Sequence, residues 1–445
     1  PPDGRRHAIQ PADVRGRFQL ARRAAFGALM ALWAALPWIR IGGHPCVFID
    51  IGARHFFLFG TTFNAQDTWL LFFLLTGVGF GLFYVTALAG RVWCGWACPQ
   101  TVFLEGVFRP IERWIEGPRE ARMRRNRRSW NFEKAARKIT THAFYVLAAL
   151  VVAHVVLSYF VSLPKALQMV RHAPSAHPQA FAWVVATTSA LYLNFAWFRE
   201  QLCVVLCPYG RLQSALMDEH SLVVGYDARR GEPRGKRGTA GAGDCVDCKR
   251  CIVVCPTGID IRSGLQMECV ACTACIDACD EVMVKLGRAP GLVRYDSQNG
   301  LSGKPRRVVR PRIFLYTVLL VVGTAVALTA SRRRSDFEAH LMRLPGEPYT
   351  LDGDQVRNAL QLHIVNKRAT EEAYRVDVGA VDGMSVVVPI PSVTVASLSD
   401  ARVPIFLSMS RDRSACSVPV HVRVARSASG EDSKQVTGSF LGPCR

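Results

Sequence analysis

The chain has 445 residues, half of them hydrophobic, and a formal net charge of +20, which is room for two or three domains. Apolar bulk beside strong positive charge suits a membrane protein, with spans in lipid and Lys and Arg gathered in the loops on one side. It excludes a nucleic-acid partner, since neither an aromatic-basic surface pattern nor finger spacing accompanies the charge.

In chain order, five stretches approach the roughly 20 apolar residues that a bilayer core requires: Ala24–Ile39, Thr68–Ala89, Ile139–Leu163, Phe181–Phe198 and Arg312–Ala330. The first follows Arg22 and Arg23 without a small-x-small cleavage site and reads as an uncleaved anchor. Between the second and third runs ARMRRNRRSWNFEKAARK, residues 121–138, whereas the loops at 40–67 and 164–180 carry two basic residues each. The Arg-rich side is expected to face the cytoplasm, and an odd number of spans sends the C-terminal tail to the periplasm. Arg332, Arg333 and Arg334 run against that rule, but Lys304, Arg306, Arg307, Arg310 and Arg312 outweigh them at the other end of the span.

The second and fourth spans each lead into Cys-x3-Cys-Pro, in RVWCGWACPQ at 91–100 and QLCVVLCPYG at 201–210. Cysteines four apart are expected one turn apart on a helix face, with Pro99 and Pro208 redirecting the chain beyond. Both motifs fall at the cytoplasmic boundary, so Cys94, Cys98, Cys203 and Cys207 can converge. Thiolates suit Cu(I), zinc or iron–sulfur, and a dithiol pair can instead cycle through disulfides. The plainer reading is four buried packing cysteines.

After a basic stretch at 229–243, expected to be a flexible linker, come GDCVDCKRCIVVCPTGIDI and MECVACTACIDACDEVM. Both contain Cys-x2-Cys-x2-Cys-x3-Cys, the ligand set of a two-cluster bacterial ferredoxin, in which the fourth cysteine of each run ligates the other cluster. One [4Fe-4S] cluster is then expected on Cys245, Cys248, Cys251 and Cys279, the other on Cys269, Cys272, Cys275 and Cys255. Asp280 stands where a second proline is expected after the run. Zinc has no use for the third closely spaced cysteine, and disulfides are disfavoured in the cytosol. Cubanes of this kind carry single electrons, so the insertion reads as a wire.

The tail, 336–445, alternates polar and apolar residues in short runs such as YRVDVGA, SVTVAS and VPVHVRVA, as an immunoglobulin-type sandwich does. On the periplasmic side Cys416 and Cys444 can pair, while Cys46 has no assigned role. Met409, Cys416 and His421 are soft or borderline copper ligands, but Met409 and His421 fall in different expected strands. His142 and His154 lie in the third span, about 18 Å apart on a helix, so they cannot ligate one metal; each could hold a haem or a neighbour's hydrogen bond. Neither a P-loop nor a Ser-His-Asp arrangement appears, nor a GxGxxG beside a strand, so the electron donor is external.

Taken together, RVWCGWACPQTV with IERWIEG, QLCVVLCPYGRLQSALMD, the eight-cysteine insertion and GLVRYDS resemble the cytochrome c oxidase accessory protein family, CcoG, also called FixG or RdxA. NapH, a quinol-dehydrogenase subunit, shares the motif pair but generally lacks the β tail. The resemblance implies an inner-membrane cupric reductase that supplies Cu(I) for assembly of a cbb3-type oxidase. Cys94, Cys98, Cys203 and Cys207 would handle copper or electrons. Implied partners are copper ions, copper chaperones or oxidase assembly factors, and a second copy of the chain. A quinol-linked electron-transfer subunit and a non-catalytic assembly scaffold are the competing readings. The expected architecture is a multi-pass α-helical membrane protein with an α+β two-cluster insertion and an all-β tail: cytoplasmic 1–23, four spans in 24–198, a cytoplasmic region 199–311 with its cluster core at 243–297, a fifth span 312–330, and the periplasmic domain 331–445.

Overall fold

The computed structural model describes residues 9–444 apart from 65–66, 237, 333, 369 and 428–431, so Arg333 and the first eight residues lie outside the described residues. The chain divides into two compact units, one comprising residues up to 61 and 65–327, the other residues 62–64 and 328 onward.

Four helices among the described residues are long and apolar enough to cross a membrane: Trp69–Ala89, Phe132–Leu157, Pro178–Phe198 and Pro311–Arg332. The second of them starts seven residues before the expected Ile139, because Asn131 accepts a hydrogen bond from the Lys134 N–H and caps it, and it stops at Leu157. The third is α-helical over Pro178–Tyr192 and widens to π-helix over Leu193–Phe198.

The expected first span, Ala24–Ile39, is not among these four helices. Helix α1 covers Arg17–Ala35. Its first turn is pinned to the cluster domain, where the Phe18 and Gln19 N–H groups donate to the Asp277 carboxylate at 3.3 and 2.7 Å. Its far end meets the loop after Leu157, where the Tyr159 hydroxyl donates to the Trp33 carbonyl at 2.5 Å. Arg17, Arg22 and Arg23 occupy its start, so its uninterrupted apolar run is shorter than those of the other four.

The cluster domain is bracketed by two antiparallel strands, Val223–Tyr226 and Val293–Asp296. With the helix Ala274–Lys285 they bury Val224, Ile276, Met283, Leu292 and Val293. The basic stretch before the clusters is not a free linker. Arg230 pairs with Asp244 at 2.9 Å, and the Gly243 and Asp244 N–H groups donate to the Pro233 and Arg230 carbonyls, both at 2.8 Å. The charges that suggested solvation instead fold the segment back on itself.

The second unit is a sandwich of two antiparallel sheets. One is ordered Met384–Val387, Asp400–Ser410, Gln355–Asn366, Phe337–Arg343, with Thr350–Asp352 also on the third; the other is ordered Ser392–Val395, Glu372–Val378, Ser417–Arg426, Ser433–Leu441. Alternate residues of the central strands point inward, so Leu360, Leu362, Ile364, Val403, Ile405, Leu407, Val420, Val422 and Val424 form one core. A disulfide joins Cys416 to Cys444. Met409 belongs to the core, whereas His421 is exposed and bonds Thr437 at 3.1 Å, so the two do not meet as ligands.

Candidate redox site

Each Cys-x3-Cys-Pro motif is built as two elements and not as one helical face. Cys94 lies in a five-residue helix, Val92–Trp96, and Cys98 is the extended residue before the helix Pro99–Phe103. Cys203 lies in a π-turn, Leu202–Leu206, and Cys207 is the extended residue before the helix Pro208–Leu216. The expectation of one turn's separation fails for a stereochemical reason. A residue preceding proline is driven out of the helical region, and proline's fixed φ suits the first position of a new helix. The prolines therefore start helices instead of ending them.

The four thiols nevertheless lie near enough to influence one another electrostatically. Burial first, and then the neighbouring thiols, raise Cys94 to about 11 and Cys203 to about 12: Cys98 and Cys207 act on Cys94, and Cys98, Cys94 and Cys207 act on Cys203. Burial also raises Cys98, opposed by the backbone N–H groups of Gln100 and Thr101. The Cys94 thiol donates to the Gln213 side-chain oxygen on the second motif's helix at 3.3 Å. Arg91 donates to the Gly210 carbonyl at 2.7 Å, and Gln100 donates to the Arg199 carbonyl at 2.9 Å. Each motif holds the other in place. As these side chains stand, no three His, Cys, Asp or Glu groups among the described residues converge on a single ion.

The eight insertion cysteines separate into two groups around two cavities. Cys245, Cys248, Cys251 and Cys279 line one. Cys255, Cys269, Cys272 and Cys275 line the other, which Cys251 also borders. The two loops share an unusual backbone. Asp247 and Lys249 in the first, and Ala271 and Thr273 in the second, all have φ between 51 and 62°. A non-glycine residue pays roughly 1–2 kcal/mol for that conformation. The matched positions curl each loop around its cavity and start a helix at Arg250 and at Ala274, next to the third cysteine. Four soft sulfur donors around each cavity, on loops strained in the same way, fit [4Fe-4S] ligation. Such a cluster, when bound, stores and releases single electrons.

The second loop lies against the first motif. A Cβ on Gly95 would stand 2.5 Å from the Ala271 carbonyl oxygen and 2.7 Å from that of Val270, so only glycine lets the thiol helix approach this closely. Beside it the Trp96 indole N–H donates to the Tyr295 hydroxyl at 3.1 Å, and Tyr295 donates to the Ala271 carbonyl at 3.1 Å. Gly95, Trp96, Tyr295 and Gln213 were not singled out from the sequence. The small residue inside CGWAC is the one hint it offered.

The remaining cysteine and histidines sit elsewhere. Cys46 is buried, with its N–H donating to the Ile39 carbonyl at 2.7 Å. His142 bonds the Tyr192 hydroxyl at 2.9 Å, and His154 bonds the Leu150 carbonyl of its own helix at 2.8 Å.

Residues 198–298 match a 4Fe-4S dicluster domain family, residues 70–118 a 4Fe-4S binding domain family, and residues 327–443 the IG-like fold at the C-terminus of FixG. Protein RdxA of Cereibacter sphaeroides is 38% identical over 395 residues, covering 85% of this chain and 83% of its own length. Protein RdxB of the same organism is 35% identical over 395 residues, covering 84% and 82%. The nitrogen fixation protein FixG of Rhizobium meliloti is 40% identical over 302 residues, covering 65% of this chain and 57% of its own. With membrane-spanning helices, iron–sulfur domains and an immunoglobulin-like tail in one polypeptide, the chain belongs to the FixG/RdxA family.

Proposed function

We propose that this protein is a cupric reductase of the bacterial inner membrane, reducing Cu(II) to Cu(I) for the assembly of a cbb3-type cytochrome oxidase. The observation that carries the reading is the contact between the first Cys-x3-Cys-Pro helix and the loop of Cys269, Cys272 and Cys275, made at Gly95 and Ala271. It supports a reading in which the thiol site adjoins one end of a two-cluster wire. Cys94, Cys98, Cys203 and Cys207 receive the copper ion. One electron from an external low-potential donor converts Cu(II) to Cu(I), and no bond to carbon or proton transfer is needed. Cu(II) prefers nitrogen and oxygen donors while Cu(I) suits soft sulfur, so a thiolate seat favours the reduced product. The cluster domain then faces the cytoplasm and the sandwich the periplasm, as the Arg-rich loop at 121–138 supports.

The test is anaerobic reduction of Cu(II) by the dithionite-reduced, desalted full chain, with Cu(I) trapped by bicinchoninate. Replacing Cys94, Cys98, Cys203 and Cys207 together by Ser is expected to slow the reaction at least about 10²-fold, the cost of losing the groups that position the reacting centre, with iron content unchanged. An unaltered rate removes copper from these thiols.

A second reading is favoured by one finding: the 4Fe-4S binding domain match at 70–118 contains Cys94 and Cys98. The four thiols would then hold a further iron–sulfur cluster. Two cubanes require about eight irons per chain and three about twelve, so metal analysis separates the readings.

A further inference from the structure

The two cysteine loops have the same backbone, but the cations beside them are compensated differently. Against the second lie Arg22 and Arg91, only 3% and 7% exposed. Arg22 donates from Nε to the Gly95 carbonyl at 3.0 Å and from Nη1 to the Gln19 side-chain oxygen at 3.1 Å, while Gln19 donates to the Cys272 carbonyl at 3.1 Å. Arg91 donates to the carbonyls of Met267, Cys269 and Gly210. Every one of these acceptors is neutral. Among the described residues neither arginine forms an ion pair, and Arg22 Nη2 and Arg91 Nε have no hydrogen-bond partner. The nearby acid Asp277 is taken by the first-turn N–H groups of α1.

At the first loop the arginines are ion-paired. Its buried cation, Arg262, is clamped by Asp247 at 2.5 Å and Asp260 at 2.8 Å, and Arg250 reaches Glu281 at 4.0 Å. Asp260 and Asp280 lie near Cys251 and Cys279. Lys249 also lines the first cavity, but it is exposed to solvent. The second loop therefore has two buried, uncompensated cations against it, whereas the cations at the first are ion-paired or solvated.

A buried guanidinium without a counter-charge is strongly disfavoured. The anion that would answer both arginines is a cubane with four thiolate ligands, whose negative charge grows on reduction. We propose that Arg22 and Arg91 are the electrostatic partners of the [4Fe-4S] cluster held by Cys255, Cys269, Cys272 and Cys275, and set its reduction potential above that of its neighbour. A nearby cation favours the reduced, more negative state, and net charge and hydrogen bonding are what tune these potentials. An electron entering the chain then settles at the loop that touches Gly95, next to the thiols. The proposal rests on cluster ligation by the eight cysteines and not on copper.

The test is a redox titration of the anaerobically purified full chain, followed by electron spin resonance with iron analysis of each sample. Two midpoints are expected, and Cys248→Ser is expected to remove the lower one. Arg22→Gln and Arg91→Gln are each expected to lower only the upper midpoint, by at least a tenfold change in the reduction equilibrium, about 59 mV for one electron. Arg22→Lys, which keeps the charge, is expected to recover most of the shift; Arg262→Gln leaves the upper midpoint in place. Full iron with unmoved midpoints in both Gln variants overturns the proposal, as does loss of the upper midpoint in Cys248→Ser. If a Gln variant fails to hold iron, the other Gln variant decides. A wild-type chain without iron instead sinks the cluster assignment itself.

Discussion

The two Cys-x3-Cys-Pro segments carry the same thiols on different supports. The first, RVWCGWACP, lies on the cluster domain: Arg91 bonds the loop at Cys269, Gly95 touches Ala271, and Trp96 reaches Tyr295. The second, QLCVVLCP, continues a span, and its intervening Val204, Val205 and Leu206 are 37, 50 and 58% exposed, as a lipid-facing turn would be. A repeated motif thus need not mean repeated work. Under the proposed function, the first segment would be the coupling side of the thiol site, and the second would supply two more sulfurs from the membrane side.

The hardest blow to this asymmetry falls on the loop beneath the first segment. Cys272→Ser removes a cluster ligand and is expected to lower iron from about eight to about four per chain. Cys203→Ser, in the second segment, leaves iron unchanged if its thiol receives copper. Metal analysis of the two proteins decides, and an equal loss of iron would make the segments equivalent.

A milder break moves the loop without removing a ligand. Gly95→Ala places a methyl within 2.5 Å of a backbone oxygen that cannot rotate away, so helix and loop must part. A displacement of about 1 Å costs on the order of 10²-fold where geometry governs the rate. Gly210→Ala meets the Cys203 carbonyl oxygen at 3.0 Å and asks for a few tenths of an ångström. Single-turnover oxidation of the reduced protein by Cu(II) is expected to slow strongly in the first variant and little in the second; equal slowing contradicts the assignment of coupling to the first segment.

The second segment's own support is ionic. Arg199, just ahead of it, pairs with Glu112 at 2.9 Å, and Arg122 reaches the same carboxylate at 2.7 Å. Burial works against the charge on Glu112, but Arg199, then Arg122 and Arg109, overcome it and hold the group at about 2 against an ordinary 4.5. A depressed carboxylate stabilises the fold fully above its unfolded value, so this contribution is present at pH 7 and is lost as pH falls from about 4.5 through about 2. Glu112→Gln leaves Arg199 short of its counter-charge, and breaking a buried pair costs about 3–5 kcal/mol. Thermal unfolding at pH 7 is expected to show that loss, and the gap between variant and parent is expected to narrow by pH 3.

How much of this was legible beforehand follows the range of each interaction. Cysteine spacing is local, so the two loops stood out, and so did the alternating strands of the tail, whose sheets need only period-two patterning. Arg22 was visible only as a charge ahead of an apolar run, because its role depends on Cys272, 250 residues away. Gly95 is likewise explained only by the distant Val270 and Ala271. The prolines were visible but misjudged: the sequence shows where a helix is interrupted, while the residues that follow decide that Pro99 and Pro208 begin new ones.

The smallest expected effect tests whether the first segment couples through its polar contacts or only through its proximity. Trp96→Phe keeps the aromatic bulk but removes the indole N–H that donates to Tyr295 at 3.1 Å. Tyr295 retains its own bond to the Ala271 carbonyl at 3.1 Å, so the loop stays anchored from one side. One hydrogen bond contributes about 0.5–1.5 kcal/mol, enough for a change of no more than about tenfold. Copper reduction by the variant is expected to fall within that range, with iron content unaltered. A loss as large as that of Gly95→Ala would mean that the Trp96–Tyr295 pair, and not the closeness allowed by glycine, fixes the thiol helix against the cluster loop.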